Sequence, residues 1–282
     1  MRKLVLFSLV SLGAAFALEQ NDVEFSKPGG LSLTLDLKTP DGNGPFPAAI
    51  IVHGGGFSHG NKRTYVTPLF DVLSNAGFAW FTINYRMAPD HQFPTAVEDV
   101  ESAVSWVKRN AAKYHVDARR IALIGESAGG YLVAYAGVHP AKGAQVAAVV
   151  DFYGPNDLVL QTEERRRQPE DRSKPHSPGL LEFMGFKTWQ DDGVVEKLRS
   201  LSPTTLISSR MPPFLFIHGD ADEQVPYEQS PKMCEAMRKA GAKCEVITVG
   251  GGRHGMGNWE KDPAMAHWKS EMIEWLKNTL KK

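Results

Sequence analysis

Cysteine is almost absent from this 282-residue sequence, with Cys234 and Cys244 as the whole complement. Two thiols are too few for a cysteine-rich metal site or a disulfide-dense scaffold. Two alternatives stay open for them: one disulfide in an oxidising compartment, or two buried thiols packing as small apolar groups. An excess of one charge is also missing. Lys plus Arg equal Asp plus Glu at 32 each, so charge does not favour nucleic acid or an anionic membrane surface as partner. Past the first residues there is no apolar run long enough to span a bilayer. The nine histidines include no His-Glu-x-x-His spacing, so no metal is expected. With 42% hydrophobic and 23% charged residues, the composition is that of a folded domain rather than a disordered chain.

Arg2 and Lys3 form a short positive region, Leu4 to Ala14 an apolar stretch, and Ala15-Phe16-Ala17 a small-residue cleavage pattern. This predicts a signal peptide over residues 1–17, cleaved after Ala17, and an exported protein, periplasmic or secreted. About 14 apolar residues are short for a span, so no membrane association is expected after cleavage. Removing Arg2 and Lys3 leaves 30 basic residues against 32 acidic, a mature charge of about −2.

Residues 18–282 are long enough for one α/β domain with a sizeable core. Leu31, Leu33, Leu35 and Leu37 alternate with polar residues, the period of a half-buried antiparallel strand. Short apolar runs then alternate with helical stretches. Strands are predicted at Ala48 to Val52, Phe78 to Asn84, Ile121 to Ile124, Val146 to Asp151, Pro213 to His218 and Lys243 to Val249. Helices are predicted at Thr95 to Lys113, from Ser127, at Tyr227 to Ala240 and at Pro263 to Leu280. In the first of these helices Asp99, Glu101, Lys108 and Arg109 are placed on the flank and solvent face. The alternation implies a mostly parallel, doubly wound sheet. Residues 157–200 break the rhythm with a charge run, prolines and aromatics, and are expected to form a small cap inserted over the sheet.

The sharpest chemical signal is Gly125-Glu126-Ser127-Ala128-Gly129-Gly130, between an apolar strand and a helix. A serine in such a strained turn projects its hydroxyl at a helix N-terminus, which favours developing negative charge. Upstream, His53-Gly54-Gly55-Gly56-Phe57 follows another strand. The amides of Gly55 and Gly56, with that of Ala128, are expected to form an oxyanion hole. His53 is then an orienting loop residue rather than a base. His254, in a glycine-rich loop after the last strand, is the expected general base, and Asp222 in His218-Gly219-Asp220-Ala221-Asp222-Glu223 its orienting acid. Asp220 and Glu223 remain alternatives for that acid. Phe57, Tyr153, Phe183, Phe186, Trp189 and Trp259 are candidates for lining an acyl or aryl pocket.

These motifs, with Asn84-Tyr85-Arg86-Met87-Ala88-Pro89 and Asp117-Ala118-Arg119-Arg120-Ile121, resemble the α/β-hydrolase esterases over roughly residues 25 to 280. The likeness is to hormone-sensitive-lipase-like esterases and to bacterial xylan acetyl and feruloyl esterases. It implies an α/β-hydrolase fold, a Ser127, Asp222, His254 triad, oxyanion donors at Gly55, Gly56 and Ala128, and no cofactor. Two departures, Glu126 where many lipase-like members carry Asp and the lack of a long N-terminal helical cap, favour the carbohydrate-esterase side. The implied substrate is a small-molecule or polysaccharide ester with a short acyl group, such as acetyl or feruloyl esters of plant polysaccharide. Rival readings are a peptidase or amidase of the same fold, including a formamidase, and a catalytically silent binding protein. Nothing in the sequence sets an oligomeric state.

Overall fold

The computed structural model describes residues 16–163 and 179–281. The expected signal segment lies outside the described residues apart from Phe16 and Ala17, as does the stretch from Glu164 to Pro178 of the expected cap.

Among the described residues eight strands form one sheet: β1 (Glu19–Ser26), β2 (Leu33–Lys38), β3 (Phe46–Val52), β4 (Ala79–Ile83), β5 (Val116–Glu126), β6 (Ala148–Phe152), β7 (Phe214–Gly219) and β8 (Cys244–Val249). Their order is β1-β2-β4-β3-β5-β6-β7-β8. The pairings β1 with β2 and β2 with β4 are antiparallel, and the others are parallel. β1 was not foreseen, because its residues EQNDVEFS are largely polar and it sits at an exposed edge.

Between and around the strands lie α1 (Pro68–Asn75), α2 (Thr95–Arg109), α3 (Ala128–Val138), α4 (Leu158–Gln161), α5 (Leu180–Phe183), α6 (Val194–Leu201), α7 (Gln229–Lys239), α8 (Met256–Trp259) and α9 (His267–Thr279). Two cores follow from the period of the central strands, whose successive side chains point to opposite faces. Ile50 and Leu123 join α2, α3 and α7 on one face, whereas Ile51 and Ile124 join α1 and α9 on the other. The apolar runs are continuous rather than alternating because helices cover both faces.

Three expectations need correction. Asp99 is buried, not on a solvent face: Arg86 grips it through Nε at 2.9 Å and Nη2 at 2.7 Å, and the Arg86 amide adds a bond of 2.8 Å. A buried carboxylate is tolerated only with such pairing. The predicted first helix stops at Arg109, short of Lys113, because the Asn110 side chain turns back to the carbonyl of Trp106 at 2.8 Å. The last predicted helix divides into a 3₁₀ turn, Pro263–Met265, and α9, since Asp262 caps the amide of Ala264 at 2.9 Å.

Cys234 in α7 and Cys244 in β8 are disulfide-bonded in the structure, with Cα atoms 5.6 Å apart. Where the cap was expected, α4, α5 and α6 occur, and Phe183 of α5 is buried against Phe57 with ring centroids 4.4 Å apart.

Candidate active site

The turn between β5 and α3 consists of Ser127 alone, held at φ 55° and ψ −117°. That conformation is unfavourable for a residue with a Cβ, and the surrounding contacts maintain it. The Ser127 amide donates to the Phe152 carbonyl at 2.9 Å, tying the turn to the end of β6. On its other side α3 seats directly against the end of β3. A Cβ on Gly129 would lie 2.2 Å from the carbonyl oxygen of Val52, so only glycine permits this approach.

His254, from the loop after β8, brings Nε2 to 3.0 Å from the Ser127 hydroxyl. Its Nδ1 lies 2.7 Å from Oδ2 of Asp222, which follows β7. An ionised carboxylate can only accept, so Nδ1 carries the proton and Nε2 is free to take one from Ser127. The other Asp222 oxygen accepts the amides of Gln224 and Val225 at 2.8 and 2.9 Å. Burial by itself would raise the Asp222 carboxyl, but hydrogen bonds from His218, His254 and the Val225 amide hold it well below the usual carboxylate range. The alternatives for the acid are occupied elsewhere. Asp220 accepts the Gly251 amide at 2.6 Å, and Glu223 meets Arg253 at 2.6 Å on the surface.

The glycine loop after β3 is braced by Tyr85, whose hydroxyl donates toward the carbonyls of His53 and Gly54 at 3.1 and 3.3 Å. The His53 ring stacks on Tyr85 with centroids 4.4 Å apart. Burial pushes His53 down to about 4, and its Nδ1 sits 2.7 Å from the Gly54 carbonyl, so it is a neutral brace. Gly55 has φ 106°, and a Cβ there would lie 1.8 Å from the His59 carbonyl oxygen. Gly55, Gly56 and Ala128 all border the cavity that contains Ser127, Asp222 and His254, a space of about 1200 Å³.

Of the aromatic candidates for the pocket, only Phe57 lines it. Tyr153, Phe183 and Trp259 are fully buried in the cores, and Phe186 and Trp189 pack against one of them. Sequence reasoning missed two supports. His218, at the end of β7, lies 3.4 Å from Asp222 and binds Ser230 at 2.8 Å. Its place in His218-Gly219-Asp220, four residues before the acid, was the available signal. Tyr153, in the left-handed region at φ 43°, sets its ring 4.8 Å from that of His254 and accepts the Met256 amide at 2.8 Å. Glu126 is buried beside the serine. Burial pushes its carboxyl up to about 7, opposed by the nearby His254 and the Tyr153 hydroxyl. Among the described residues no cluster of side chains is arranged to hold a metal ion.

The family described as BD-FAE matches residues 35–237. The esterase LipC of Mycobacterium tuberculosis is 32% identical over 225 residues, covering 75% of this chain and 53% of that protein. The chain spans about half the length of the curated relatives it matches. A truncated form of a carbohydrate esterase from gut microbiota superposes with a TM-score of 0.79 at 27% identity, over 95% of this chain and 98% of that one. An acetyl ester-xyloside bifunctional hydrolase from Caldicellulosiruptor lactoaceticus shares the fold, with a TM-score of 0.75 at 22% identity over 91% of this chain and 95% of that one.

Proposed function

We propose, from the premise that the chain belongs to the BD-FAE family and has the α/β-hydrolase fold, that it is a serine carboxylic-ester hydrolase acting through an acyl-enzyme. The observation that carries this reading is the relay of Ser127, His254 and Asp222 at 3.0 and 2.7 Å, opening onto a cavity lined by Gly55, Gly56 and Ala128.

In the first half-reaction the Ser127 oxygen attacks the ester carbonyl while its proton passes to Nε2 of His254. The carbonyl oxygen becomes an oxyanion facing the amides of Gly55, Gly56 and Ala128. Asp222 holds the imidazole by Nδ1 and stabilises the imidazolium. As the tetrahedral species collapses, the bond to the alcohol breaks and the Nε2 proton goes to the departing alkoxide. In the second half, His254 takes a proton from water, hydroxide adds to the acyl carbonyl, and the acid leaves as the Ser127 oxygen recovers its proton.

The substrate reading is a short acyl group on a carbohydrate alcohol, acetyl or feruloyl esters of plant polysaccharide being its narrowest form. Support comes from the likeness to a carbohydrate esterase and from Phe57, which faces the cavity with its ring backed by Phe183. Export before function, with cleavage after Ala17, fits an enzyme whose polymer substrate lies outside the cytoplasm.

The test is a panel of p-nitrophenyl esters from acetate to palmitate, run beside acetylated xylan and methyl ferulate. The expected result is a rate maximum at acetate or propionate with acetate or ferulate released from the plant-type substrates. An optimum at eight carbons or longer with no such release overturns the carbohydrate reading. Absence of all ester turnover overturns the esterase reading itself.

A further inference from the structure

Tyr65 is 50% exposed, and its neighbour Val66 is fully buried. Its backbone lies in the left-handed region at φ 65°, which is unfavourable for a bulky side chain. The turn before it is tightly specified. Asn61 and Thr64 exchange bonds of 2.8 and 3.0 Å, and the Asn61 side chain accepts the Arg63 amide at 2.9 Å. Arg63 then reaches buried Asp36 at 2.6 Å, Lys62 reaches Asp22 at 2.7 Å, and the Thr82 hydroxyl donates to the Lys62 carbonyl. The chain is thus pinned on both sides of Tyr65 while about half of the residue stays open to solvent.

Tyr65 lines the same cavity as Ser127. Phe57, on the inner wall, is buried against Phe183, whereas Tyr65 stands where the cavity meets solvent. The leaving alcohol of a polymeric ester must continue outward to solvent, and Tyr65 is a cavity-lining aromatic that is half exposed. The rim also carries Glu223 and Glu228, and each is balanced by a cation: Arg253 at 2.6 Å and Lys232 at 2.9 Å. Carboxylates on the cavity wall can accept hydrogen bonds from hydroxyl groups and disfavour an anionic alcohol, which suits a neutral polyol. An aromatic face supplies the remaining element, because the C–H face of a pyranose is apolar and broad enough to cover a phenol ring.

We propose that Tyr65 is the stacking platform of a sugar subsite on the alcohol side of Ser127, taking the neutral pyranose that bears the ester; this rests on the esterase reading above. Binding without turnover is measured by titrating the Ser127→Ala protein with xylotriose, followed by heteronuclear NMR. Saturable shifts are expected in the Tyr65 turn and the cavity rim. Tyr65→Ala in the same background should weaken binding at least tenfold, while Tyr65→Trp keeps it within about threefold and shows that the turn still folds. In the active protein, Tyr65→Ala should lower kcat/KM for acetylated xylo-oligosaccharide at least tenfold relative to kcat/KM for ethyl acetate, mainly through KM. Absence of saturable xylotriose binding, or equal affinity with and without the Tyr65 ring, overturns the platform. Ethyl acetate turnover with no sugar binding leaves the esterase reading standing, and no ester turnover with Tyr65-dependent sugar binding does the reverse.

Discussion

Nε2 of His218 lies 3.4 Å from the Asp222 oxygen that also binds Nδ1 of His254 at 2.7 Å. The Val225 carbonyl, 3.1 Å from the same His218 nitrogen, can only accept, so that nitrogen carries a proton, donated to the carbonyl with the carboxylate as the more distant acceptor. The same Asp222 oxygen is therefore approached by two histidine rings, His218 and His254. Asp222→Asn should cut kcat on a short ester by roughly a thousand- to ten-thousand-fold, because the wrong imidazole tautomer is then stabilised. Asp220→Asn and Glu223→Gln, whose partners are Gly251 and Arg253, should each stay within about threefold of the parent, as surface changes usually do. Steady-state kinetics on the three variants checks the ranking.

Ser127 combines the nucleophile position with a strained backbone. Ser127→Ala removes the hydroxyl but keeps the strain, so activity falls by about a million-fold with little change in Tm. Ser127→Gly is equally inactive, yet relief of the strain, less the entropy lost by glycine, should raise stability by about 1 kcal/mol. Calorimetry is expected to show the glycine variant melting about 2 °C above the alanine variant.

Glu126 gives stability a pH dependence of known sign. Its carboxyl is raised from 4.5 to about 7, so the folded protein holds a proton that the unfolded chain releases. The resulting stability is fully present below pH 4.5 and is lost as pH rises through about 7. Glu126→Gln removes the ionisation, so its Tm advantage over the parent should be smallest near pH 4.5, grow up to about pH 7 and then level off. Thermal scans at pH 4.5, 6 and 8 measure this difference, and a constant offset across the series counts against it.

The Cys234–Cys244 bond joins a helix to the strand that follows it, across a separation of 10 residues. Closing a loop of that size stabilises by about 2–3 kcal/mol through the unfolded chain. The double variant Cys234→Ala, Cys244→Ala should therefore melt roughly 4–10 °C lower, and the parent unfolded without reductant should show no free thiol.

How much of the site was legible follows from how local each signal is. Gly125 to Gly130 carries its context with it: an apolar strand before, a helix after, and glycines where backbones touch, as at Gly129 against Val52. The same holds for His53 to Phe57 and for the loop of His254. Asp222 was separable from Asp220 and Glu223 only by its place before Val225-Pro226, and the distinction rests on which carboxylate the β7 loop turns inward. Asp36 and Asp99 look alike in the sequence to any surface acid. Both are buried, because Arg63 and Arg86 arrive from distant turns to neutralise them. Aromatic residues likewise did not announce the cavity, since Phe183 and Trp259 serve the core while half-exposed Tyr65 lines the cavity.

By itself the amino-acid order determined the class of fold and pointed to the candidate site residues, because strand and helix periods, strained turns and glycine contacts are written in neighbouring positions. Only the tertiary structure decided that positions 127, 222 and 254 meet within hydrogen-bond reach, that His218 backs the acid, and that Tyr65 shares their cavity. Parallel strands deliver their loops to one edge of the sheet from segments far apart in the chain. Distances across that edge depend on strand order and twist, which local periodicity does not encode.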